Sequence, residues 1–280
     1  MGIYCPSFSK VNVGLKVLKL REDGYHNIYT LFQELDFGDE LLFEKTENSC
    51  LITSNVDWIP TDKSNICYKA YNALKNLYPD LGGICIQIKK KVPIGSGLGG
   101  GSANGAAVLK ELNNLYDLGL SIFELEKVGV SVGADVSFFI RGGTQLGEGI
   151  GNKLTPLPNP ISGIYLLVIP NIFINTSWAY TELGKKLKFD TKVPNFRGFF
   201  NGDIPSYKFE IFENDFERIV IPAYPEIGSI KHKLLKLGAR FASLSGSGST
   251  VFGIFDDDTL VTKAESFFQT SYQTILAHPA

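Results

Sequence analysis

The chain has 280 residues, of which 44% are hydrophobic and 20% charged, and its 27 basic and 29 acidic side chains give a formal net charge of -2. This composition is typical of a globular protein with a sizeable core. The near-neutral charge argues against the broad basic surface of a protein whose main partner is nucleic acid. An anionic ligand therefore needs a local binding site.

The four cysteines are scattered along the chain and form no Cys-x-x-Cys pair, so the sequence predicts neither a zinc site nor a disulfide framework. No stretch reaches the roughly 20 apolar residues that span a bilayer. The first residues, "MGIYCPSFSK", resemble neither a signal peptide nor a transit peptide. We therefore expect a cytoplasmic protein.

The N-terminal region alternates apolar and polar side chains, which is the period of half-buried strands. Strands are predicted over residues 11–20, 29–35 and 40–43, with the polar turn "EDGYH" between the first two. A helix is predicted over 64–77, where the apolar residues share one face, and another strand begins at Gly83. The region is thus predicted to be rich in β structure.

From residue 103 onward, helical and strand patterns alternate. The predicted helices are 103–116, 122–130, one beginning near Thr176, 225–238 and 259–268. The predicted strands are 143–149, 163–170, 240–244 and 250–255. Residues 188–205 are rich in Gly, Pro, Asn and aromatic residues without periodicity, so we expect an irregular connection between two lobes there.

A run of glycines leads from the strand that begins at Gly83 into the next predicted helix. The sequence from residue 92 is "VPIGSGLGGGSANGAAVL", and its first glycines are Gly95, Gly97, Gly99, Gly100 and Gly101. Glycines let backbone N–H groups approach a ligand closely, and a helix N-terminus adds unpaired donors with a partial positive charge. We predict a phosphate-binding loop with Ser102 as the helix cap; a flexible turn is the alternative.

Two common phosphate-loop patterns fit this run poorly. A P-loop needs a lysine at the end of the glycines, but Ser102 is followed by Ala103, and the next lysine is Lys110. The dinucleotide pattern G-x-G-x-x-G fits the glycines, yet the acidic residue at the required distance, Asp117, lies at a predicted helix end. The preceding strand also alternates, whereas a parallel strand buried on both faces should be uniformly apolar.

The glycine run resembles the P-x-x-x-G-L-G-[GS]-[GS]-S motif of the small-molecule kinases that include galactokinase, homoserine kinase and mevalonate kinase. "SFSKVNVGL" and "SLSGSGSTVFGIF" resemble the first and third motifs of that superfamily, the third being a glycine-rich loop that packs beside the phosphate loop. Four further segments resemble its branch that acts on a cytidine diphosphate derivative of methylerythritol: "REDGYHNIYTLFQELDFGDEL", "GADVSFFIRGGTQLGEGIG", "PNIFINTSWAYTEL" and "NDFE". The resemblance extends from about Pro6 to Phe255.

The resemblance implies an α+β, two-lobed kinase fold. An N-terminal ribosomal-protein-S5-like lobe that binds ATP is expected over 1–155, a C-terminal ferredoxin-like lobe over 156–280, and the active site in the cleft between them. The implied activity is ATP-dependent phosphorylation of the 2-hydroxyl of the cytidyl substrate, with Mg²⁺, in the non-mevalonate isoprenoid pathway. Another kinase of the superfamily and a nucleotide-binding module without turnover are the alternatives. We expect a small-molecule substrate, no nucleic-acid or membrane partner, and a monomer or weak dimer.

Two side chains are candidates for the chemistry. Lys10 lies between apolar strand residues, and Asp135 is an isolated carboxylate in a small, apolar segment after a helix. Without the resemblance, two interpretations of each residue stay open. Lys10 is either a surface amine or an active-site cation, and Asp135 is either a helix N-cap or a catalytic carboxylate. The resemblance implies that Asp135 is the general base and that Lys10 steadies the nucleophilic oxygen and the transferring phosphoryl group. Asn12 shares the strand face of Lys10 and is expected at the substrate.

Most of the remaining candidates are implied by the resemblance, whereas Lys91 is a candidate because "KKKVP" ends beside the glycine run, and Asn65 is a similar candidate for the adenine. The cytidine pocket is expected to contain Tyr25, His26 and Phe32, with Thr176 in its neighbourhood and Tyr180 on the opposite face of the base. ATP is expected to contact Asn65, Lys91, Pro93, Gly95, Ser96, Gly97, Leu98, Gly99, Gly100, Gly101 and Ser102. On residue type alone, the Tyr25 turn could be a packed turn and Lys91 a solvated strand end. Ala103 stands where many relatives carry a second serine, so no metal ligand is assigned.

Overall fold

A computed structural model describes residues 2–186, 193–205 and 208–280, and these form two compact units. Unit 1 comprises Met1–Ser9, Gly38–Ile94 and Gly99–Gly142. Unit 2 comprises Lys10–Phe37, Gly95–Leu98 and Gly143–Ala280. The first two strands and the glycine run each contribute residues to both units, so neither unit is one continuous stretch of chain.

Strands and helices are mixed along the whole chain. The strands are β1 (Ile3–Leu20), β2 (His26–Thr46), β3 (Cys50–Ser54), β4 (Gly83–Lys89), β5 (Thr144–Glu148), β6 (Lys153–Pro156), β7 (Ile164–Ile169), β8 (Phe241–Leu244), β9 (Val251–Phe255) and β10 (Gln273–Ala277). The helices are α1 (Ile66–Leu77), α2 (Gly100–Leu115), α3 (Ile122–Val132), α4 (Val136–Arg141), α5 (Thr176–Lys186), α6 (Phe196–Asn201), α7 (Glu217–Ala223), α8 (Pro225–Lys236) and α9 (Asp258–Phe268). A short 3-10 helix covers Phe209–Ile211.

The long strands and the short helices depart most from the sequence predictions. Two predicted strands, 29–35 and 40–43, are parts of the single strand β2. Glycine at position 38 lets the strand continue without a break. The strand β1 pairs with β2, and any Cβ at position 38 would clash with the carbonyl oxygen of Ser7 in β1 at 2.0 Å. The predicted irregular connection 188–205 contains helix α6, and its residues 188–192 lie outside the described part of the chain.

Unit 1 packs four helices with a set of paired strands. β3 runs parallel to β4, and β4 pairs antiparallel with residues 40–46 of β2. α1 packs on α2 and α3, and α4 packs on α2 and α3. Asn65 begins α1 by accepting the N–H of Cys67, and Ser121 and Glu124 form a reciprocal capping box on α3. Residues at the centre of unit 1 are fully buried, including Leu41, Phe43, Leu74, Ile84, Ile86, Val108 and Leu112.

Unit 2 contains a four-stranded antiparallel sheet in the order β10-β7-β9-β8. Helix α8 packs on β8 and β9, and α9 packs on β7, β9 and β10. This chain order, with a helical connection before β8 and another before β10, is the ferredoxin-like pattern. The predicted ferredoxin-like C-terminal sheet is therefore confirmed. In the same unit, residues 30–33 of β2 pair with β5, and β5 pairs with β6.

A buried ion pair in unit 1 holds the segment that precedes the glycine run. Asp39 is 1% exposed, and its carboxylate accepts hydrogen bonds from Lys90 Nζ at 2.7 Å and from the N–H groups of Lys91 and Val92 at 2.8 Å each. Nδ2 of Asn104 in α2 donates to the same carboxylate at 2.9 Å. Burial lowers the pKa of Lys90, and the charge of Asp39 opposes that shift. Asp39 thereby ties β2 to the start of the glycine run and to α2.

Replacing Asp39 with Asn should strongly destabilise the protein. The variant keeps the size of the side chain but leaves the Lys90 ammonium buried without a counter-charge, which typically costs about 3–5 kcal/mol. Urea denaturation of Asp39→Asn and wild type measures the difference in the free energy of unfolding. The matched control is Glu40→Gln, because Glu40 pairs with Lys89 and Lys91 at the surface. If Asp39→Asn lowers the free energy of unfolding no more than Glu40→Gln does, the buried pair does not make the proposed contribution to stability.

Candidate active site

Lys10 is buried inside unit 2, where a relay of polar groups fixes its ammonium group. Lys10 is 4% exposed, so the surface-amine interpretation is wrong. Its Nζ donates to Oδ1 of Asn12 at 2.6 Å and lies 5.5 Å from the centroid of the Phe32 ring. Nδ2 of Asn12 donates to Oγ1 of Thr30, and that hydroxyl donates to the carbonyl oxygen of Gly14, each at 2.8 Å. The two-residue strand period brings Lys10 and Asn12 together as expected.

Residues 95–98 of the glycine run pack against the loop that follows β8. Oγ of Ser245 donates to the carbonyl oxygen of Gly97 at 2.9 Å, and the N–H of Thr250 donates to the carbonyl oxygen of Ser96 at 3.1 Å. A Cβ at Gly97 would lie 2.1 Å from the carbonyl oxygen of Ser245, and Gly97 has a φ of +80°. Glycine is therefore required here by the packing of the protein itself. The two glycine-rich motifs lie side by side, as the resemblance implies.

The later glycines open helix α2 in unit 1. Gly99 is the N-cap residue in the left-handed conformation, with a φ of +73°, and the helix begins at Gly100. Ser102 lies in the first helical turn, so its predicted role as the N-cap was wrong. Glycine reaches the left-handed conformation at little cost, which lets the helix start three residues earlier than predicted. The first-turn N–H groups of a helix have no intrahelical partners and can bind an anion.

Two of these glycines differ in the space around them. A Cβ at Gly100 would lie 2.8 Å from the Val92 side chain, whereas the nearest contact at Gly101 is Ile66 at 3.9 Å. A bulky residue at Gly100 would therefore disturb unit 1 as well as any bound phosphate. A Cβ at Gly101 would therefore make only an ordinary van der Waals contact with the protein.

Asp135 occupies the N-cap position of helix α4. Its backbone is helical, with φ -89° and ψ -5°, and its carboxylate makes no capping hydrogen bond to that helix. The capping interpretation is therefore correct for the position but not for the side chain. Close packing of α3 on α4 holds this turn, because a Cβ at Gly129 would lie 3.2 Å from the N atom of Ser137. The side chain of Asp135 is half-buried.

Aromatic side chains expected at the cytidine form a stacked group in unit 2. The rings of His26 and Tyr180 stack with centroids 5.6 Å apart and planes 16° apart. Nδ1 of His26 lies 2.8 Å from the carbonyl oxygen of Leu18, and Tyr180 meets Phe216 edge-on at 4.9 Å. Tyr25, the neighbour of His26 in the chain, is 60% exposed. The structure thus brings His26 and Tyr180 together and leaves the Tyr25 ring at the surface.

The other predicted contacts have these positions. Thr176 begins α5, and its Oγ1 lies 3.0 Å from Oγ of Ser247. Phe32 is buried beneath Lys10. The Asn65 side chain also donates to the carbonyl oxygen of Pro60 at 2.5 Å, and Lys91 pairs with Glu40. Pro93 is half-buried directly before the glycine run.

Sequence reasoning missed two polar residues that support this region. Thr30 is 18 residues away from Asn12 in the chain, and no local pattern links the two. Asn214 belongs to the quoted segment "NDFE", but no role was assigned to it. Its Nδ2 donates to the carbonyl oxygens of Leu244 and Gly246. The available signal was the segment "NDFE", which matches the family but contains an asparagine with no assigned role.

Comparison with known proteins identifies the family. The GHMP kinases N terminal domain matches residues 65–143, and the GHMP kinases C terminal domain matches 202–274. The 4-diphosphocytidyl-2-C-methyl-D-erythritol kinase of Thermodesulfovibrio yellowstonii is 39% identical over 273 residues, which cover 95% of this chain and 94% of that protein. The chain belongs to this kinase family. The enzyme of the same name from Alkaliphilus oremlandii is 40% identical over 257 residues, covering 90% of this chain and 88% of the relative.

Solved structures agree with this family and with the predicted fold. A crystal structure of 4-(cytidine 5'-diphospho)-2C-methyl-D-erythritol kinase superposes with a TM-score of 0.81 and 27% identity, covering 100% of both chains. Homoserine kinase from Cytophaga hutchinsonii gives a TM-score of 0.78 at 20% identity, covering 100% of this chain and 94% of the other, and so shares the fold. The predicted α+β, two-lobed kinase fold is confirmed. Within the described residues, no helix is long and apolar enough to cross a membrane.

The relay beneath Lys10 should support turnover. Thr30→Val removes the hydroxyl that holds the Asn12 amide, so the Lys10 ammonium group is less well positioned, and we expect kcat to fall about tenfold, which is a loss of about 1.4 kcal/mol of transition-state stabilisation. Steady-state kinase assays measure the change. Thr144→Val is the matched control, since the Thr144 hydroxyl is also buried in unit 2 and donates to Oε1 of Gln33 at 2.8 Å. Equal losses of kcat in the two variants would refute the specific role of the relay.

Proposed function

We propose that this kinase transfers the γ-phosphoryl group of ATP to the 2-hydroxyl of 4-diphosphocytidyl-2-C-methyl-D-erythritol, a step in the non-mevalonate isoprenoid pathway. The observation that carries the proposal is that one compact unit holds both the Lys10–Asn12 pair and the stacked His26–Tyr180 pair. A buried cation suits a reaction that develops negative charge, and an aromatic group suits a pyrimidine. The nearly full-length identity to enzymes of that name supports this acceptor.

The cytosine is proposed to stack between Tyr25 and Tyr180. A third ring between His26 and Tyr180 would need centroids about 7 Å apart, twice the ordinary contact distance. Those centroids are 5.6 Å apart, so His26 instead backs the Tyr180 ring. The turn that carries Tyr25 is ordered by Asp23, which accepts the N–H of Tyr25 at 3.1 Å and pairs with Arg21. The exposed Tyr25 ring is thereby presented on a fixed backbone, while Phe32 and Thr176 are proposed to line the same pocket.

Phosphoryl transfer is proposed to use Asp135 as the general base and Lys10 as the electrostatic stabiliser. Asp135 takes the proton from the substrate hydroxyl, and Lys10 stabilises the charge that develops on the attacking and transferring oxygens. The burial of Lys10 supports its role, because an ammonium group acts more strongly in a site with little water. Asn12 holds the ammonium group in position from one side.

ATP is proposed to bind through the glycine run, with its phosphates on backbone N–H groups of residues 95–102 and on the N-terminus of α2. The left-handed conformations of Gly95, Gly97 and Gly99 turn the backbone repeatedly in this segment. Such turns can direct successive N–H groups toward one anion. Asn65 and Lys91 remain proposed contacts, although each already has a protein partner in unit 1.

Mg²⁺ is proposed to enter with ATP. The described residues contain no group of three or more His, Cys, Asp or Glu side chains placed to hold a metal. In phosphoryl-transfer sites, however, Mg²⁺ usually needs only one or two protein carboxylates together with substrate phosphates. The Ser102 hydroxyl and the Asp135 carboxylate are oxygen donors of the right chemistry, so the residues present fit the ion. When bound, the ion would supply positive charge to the phosphates.

The proposal also covers the cellular location, the partners, the oligomeric state and the lobe boundaries of the enzyme. We place it in the cytoplasm, with a small-molecule acceptor, without a nucleic-acid or membrane partner, and as a monomer or weak dimer. We also retain 1–155 as the ATP-binding lobe and 156–280 as the C-terminal lobe. The near-neutral formal charge of -2 supports the absence of a nucleic-acid partner.

The acceptor can be tested directly. Purified enzyme with ATP and Mg²⁺ should form ADP with 4-diphosphocytidyl-2-C-methyl-D-erythritol, because that compound offers both the pyrimidine and the alcohol. Mevalonate and homoserine are the controls and should give only background ADP. A coupled ADP assay measures the rate, and phosphorus NMR of the product locates the new phosphate ester. Faster turnover of mevalonate or homoserine would assign the protein to another kinase of the superfamily.

Tyr180 should determine affinity for the cytidyl substrate. We expect Tyr180→Ala to raise the KM for that substrate by roughly 5- to 150-fold, since an aromatic–base stack contributes about 1–3 kcal/mol. The KM for ATP should stay nearly constant. Trp178→Ala is a matched control, because Trp178 lies on the same helix and packs edge-on against Tyr224 at 5.8 Å. Equal effects of Tyr180→Ala on both substrates would make Tyr180 a packing residue.

Asp135 and Lys10 should affect turnover far more than binding. Asp135→Asn cannot accept the proton, and Lys10→Met keeps the stem but deletes the charge, so we expect single-turnover rates about 10²- to 10⁴-fold lower. The double variant should lose much less than the product of the two single losses, because both groups act on one transition state. Near-normal transfer by Asp135→Asn would exclude it as the base, and near-normal transfer by Lys10→Met would exclude the electrostatic role.

A further inference from the structure

Asn214, in the segment Asn214–Glu217, makes hydrogen bonds that fix the shape of the glycine-rich loop after β8. Its side chain is buried, and its Nδ2 donates to the carbonyl oxygens of Leu244 at 2.7 Å and Gly246 at 2.8 Å. Its Oδ1 accepts the N–H of Phe216 at 3.0 Å. The Asn214 amide therefore bridges the start of the loop and fixes the distance between the carbonyl groups of Leu244 and Gly246.

The neighbours of Asn214 secure the same region from other sides. Oε1 of Glu217 accepts the N–H of Leu244 at 3.0 Å, so Leu244 is held through both its N–H and its carbonyl group. Oδ2 of Asp215 accepts the N–H of Val17 at 2.9 Å, and the backbone N–H of Asp215 donates to Leu15 in β1. The segment thus connects the loop to the strand that carries Lys10 and Asn12.

The loop that Asn214 fixes touches two parts of the proposed active site. Ser245 donates to the carbonyl oxygen of Gly97 in the phosphate loop. A Cβ at Gly246 would lie 3.4 Å from Oδ1 of Asn12, which places the loop backbone against the partner of Lys10. A shift of Leu244–Gly246 would therefore displace both the phosphate loop and the Asn12 amide.

Phe216 connects the same segment to a different part of the site. Its buried ring meets Tyr180 edge-on, with centroids 4.9 Å apart. Two adjacent parts of one short segment thus support separate functions: Asn214 supports the phosphate loop and Asn12, and Phe216 supports the aromatic group proposed to bind cytosine. This separation provides a kinetic signature that a general loss of stability does not.

We propose that Asn214 is a positioning residue for phosphoryl transfer, which acts by holding Leu244 and Gly246 so that the loop supports Gly97 and Asn12. The assignment rests on the proposed function for the identity of the acceptor and for the binding of ATP at the glycine run, but the ATP measurement does not depend on which alcohol is the acceptor. Asn is suited to this place because both amide hydrogens meet carbonyl oxygens and its Oδ1 meets an N–H. An Asp would keep the acceptor and place a negative oxygen against the two carbonyls.

The test compares Asn214→Asp and Asn214→Ala with two controls. Asn113→Ala removes a matched pair of local bonds in unit 1, where Asn113 bonds the carbonyl oxygen of Leu120 at 3.0 Å and its N–H at 2.9 Å. Phe216→Leu changes the other half of the segment. For each variant we would measure ATP affinity by calorimetry without acceptor, kcat, and the KM for the cytidyl substrate. If Asn214→Asp fails to fold, Asn214→Ala, which introduces no charge, gives the result.

We expect both Asn214 variants to lower kcat and ATP affinity at least about tenfold. Asn214→Asp keeps the oxygen that accepts the N–H of Phe216, so it should also leave the cytidyl KM within about twofold of wild type. Phe216→Leu should show the reverse pattern, with a raised cytidyl KM and unchanged ATP affinity. Asn113→Ala should change none of these values. ATP affinity and kcat within about twofold of wild type in Asn214→Ala would overturn the proposal. A lower kcat that arises only because fewer enzyme molecules are folded, with ATP affinity unchanged, would also overturn it.

Failure of the proposed acceptor is distinguishable from failure of this proposal. If wild type does not phosphorylate the cytidyl substrate, the calorimetric ATP affinity still separates Asn214→Ala from Asn113→Ala. Wild-type ATP affinity in Asn214→Ala would then overturn the positioning role, and weakened affinity would support it whichever alcohol is the acceptor.

Discussion

The buried ammonium group of Lys10 is the constraint on which the proposed active site depends. A charge removed from water is costly unless polar partners surround it, and Asn12 supplies one at 2.6 Å. Asn12 is in turn fixed by Thr30, and Thr30 by the backbone of Gly14. The cation is therefore held before any substrate arrives. In a reaction that develops negative charge, such preorganisation avoids the cost of reorienting polar groups during the reaction.

The glycines near the phosphate loop serve the protein as well as the proposed ligand. Gly97 is required because the carbonyl group of Ser245 occupies the space of a Cβ, and Gly100 because Val92 does. Gly99 allows the left-handed residue that starts α2. A Cβ at Gly101 would make only an ordinary contact with Ile66 at 3.9 Å, so packing does not require this glycine and the ligand explanation fits it best. A glycine-rich motif thus combines positions demanded by packing with positions that leave the backbone open to phosphate.

Much of the fold was predictable because its signals are local. The amphipathic pattern of α1 and the Pro225 and Gly238 boundaries of α8 follow from side-chain period and backbone preference within a few residues. The unbroken strand β2 was not predictable, because its polar centre around Asp36–Asp39 resembles a turn. There, the close approach of Ser7 to Gly38 and the buried pair of Asp39 with Lys90 outweigh local propensity.

The sequence by itself determined the kinase family, the phosphate-loop candidate and the strand face shared by Lys10 and Asn12, because each is encoded by contiguous residues or by a two-residue period. Tertiary structure decided that Lys10 is buried, that His26 backs Tyr180, and that Asn214 holds the loop after β8. These contacts join residues far apart in the chain. A hydrogen bond or ring stack depends on distances of a few ångströms, and no local period specifies which distant residues meet.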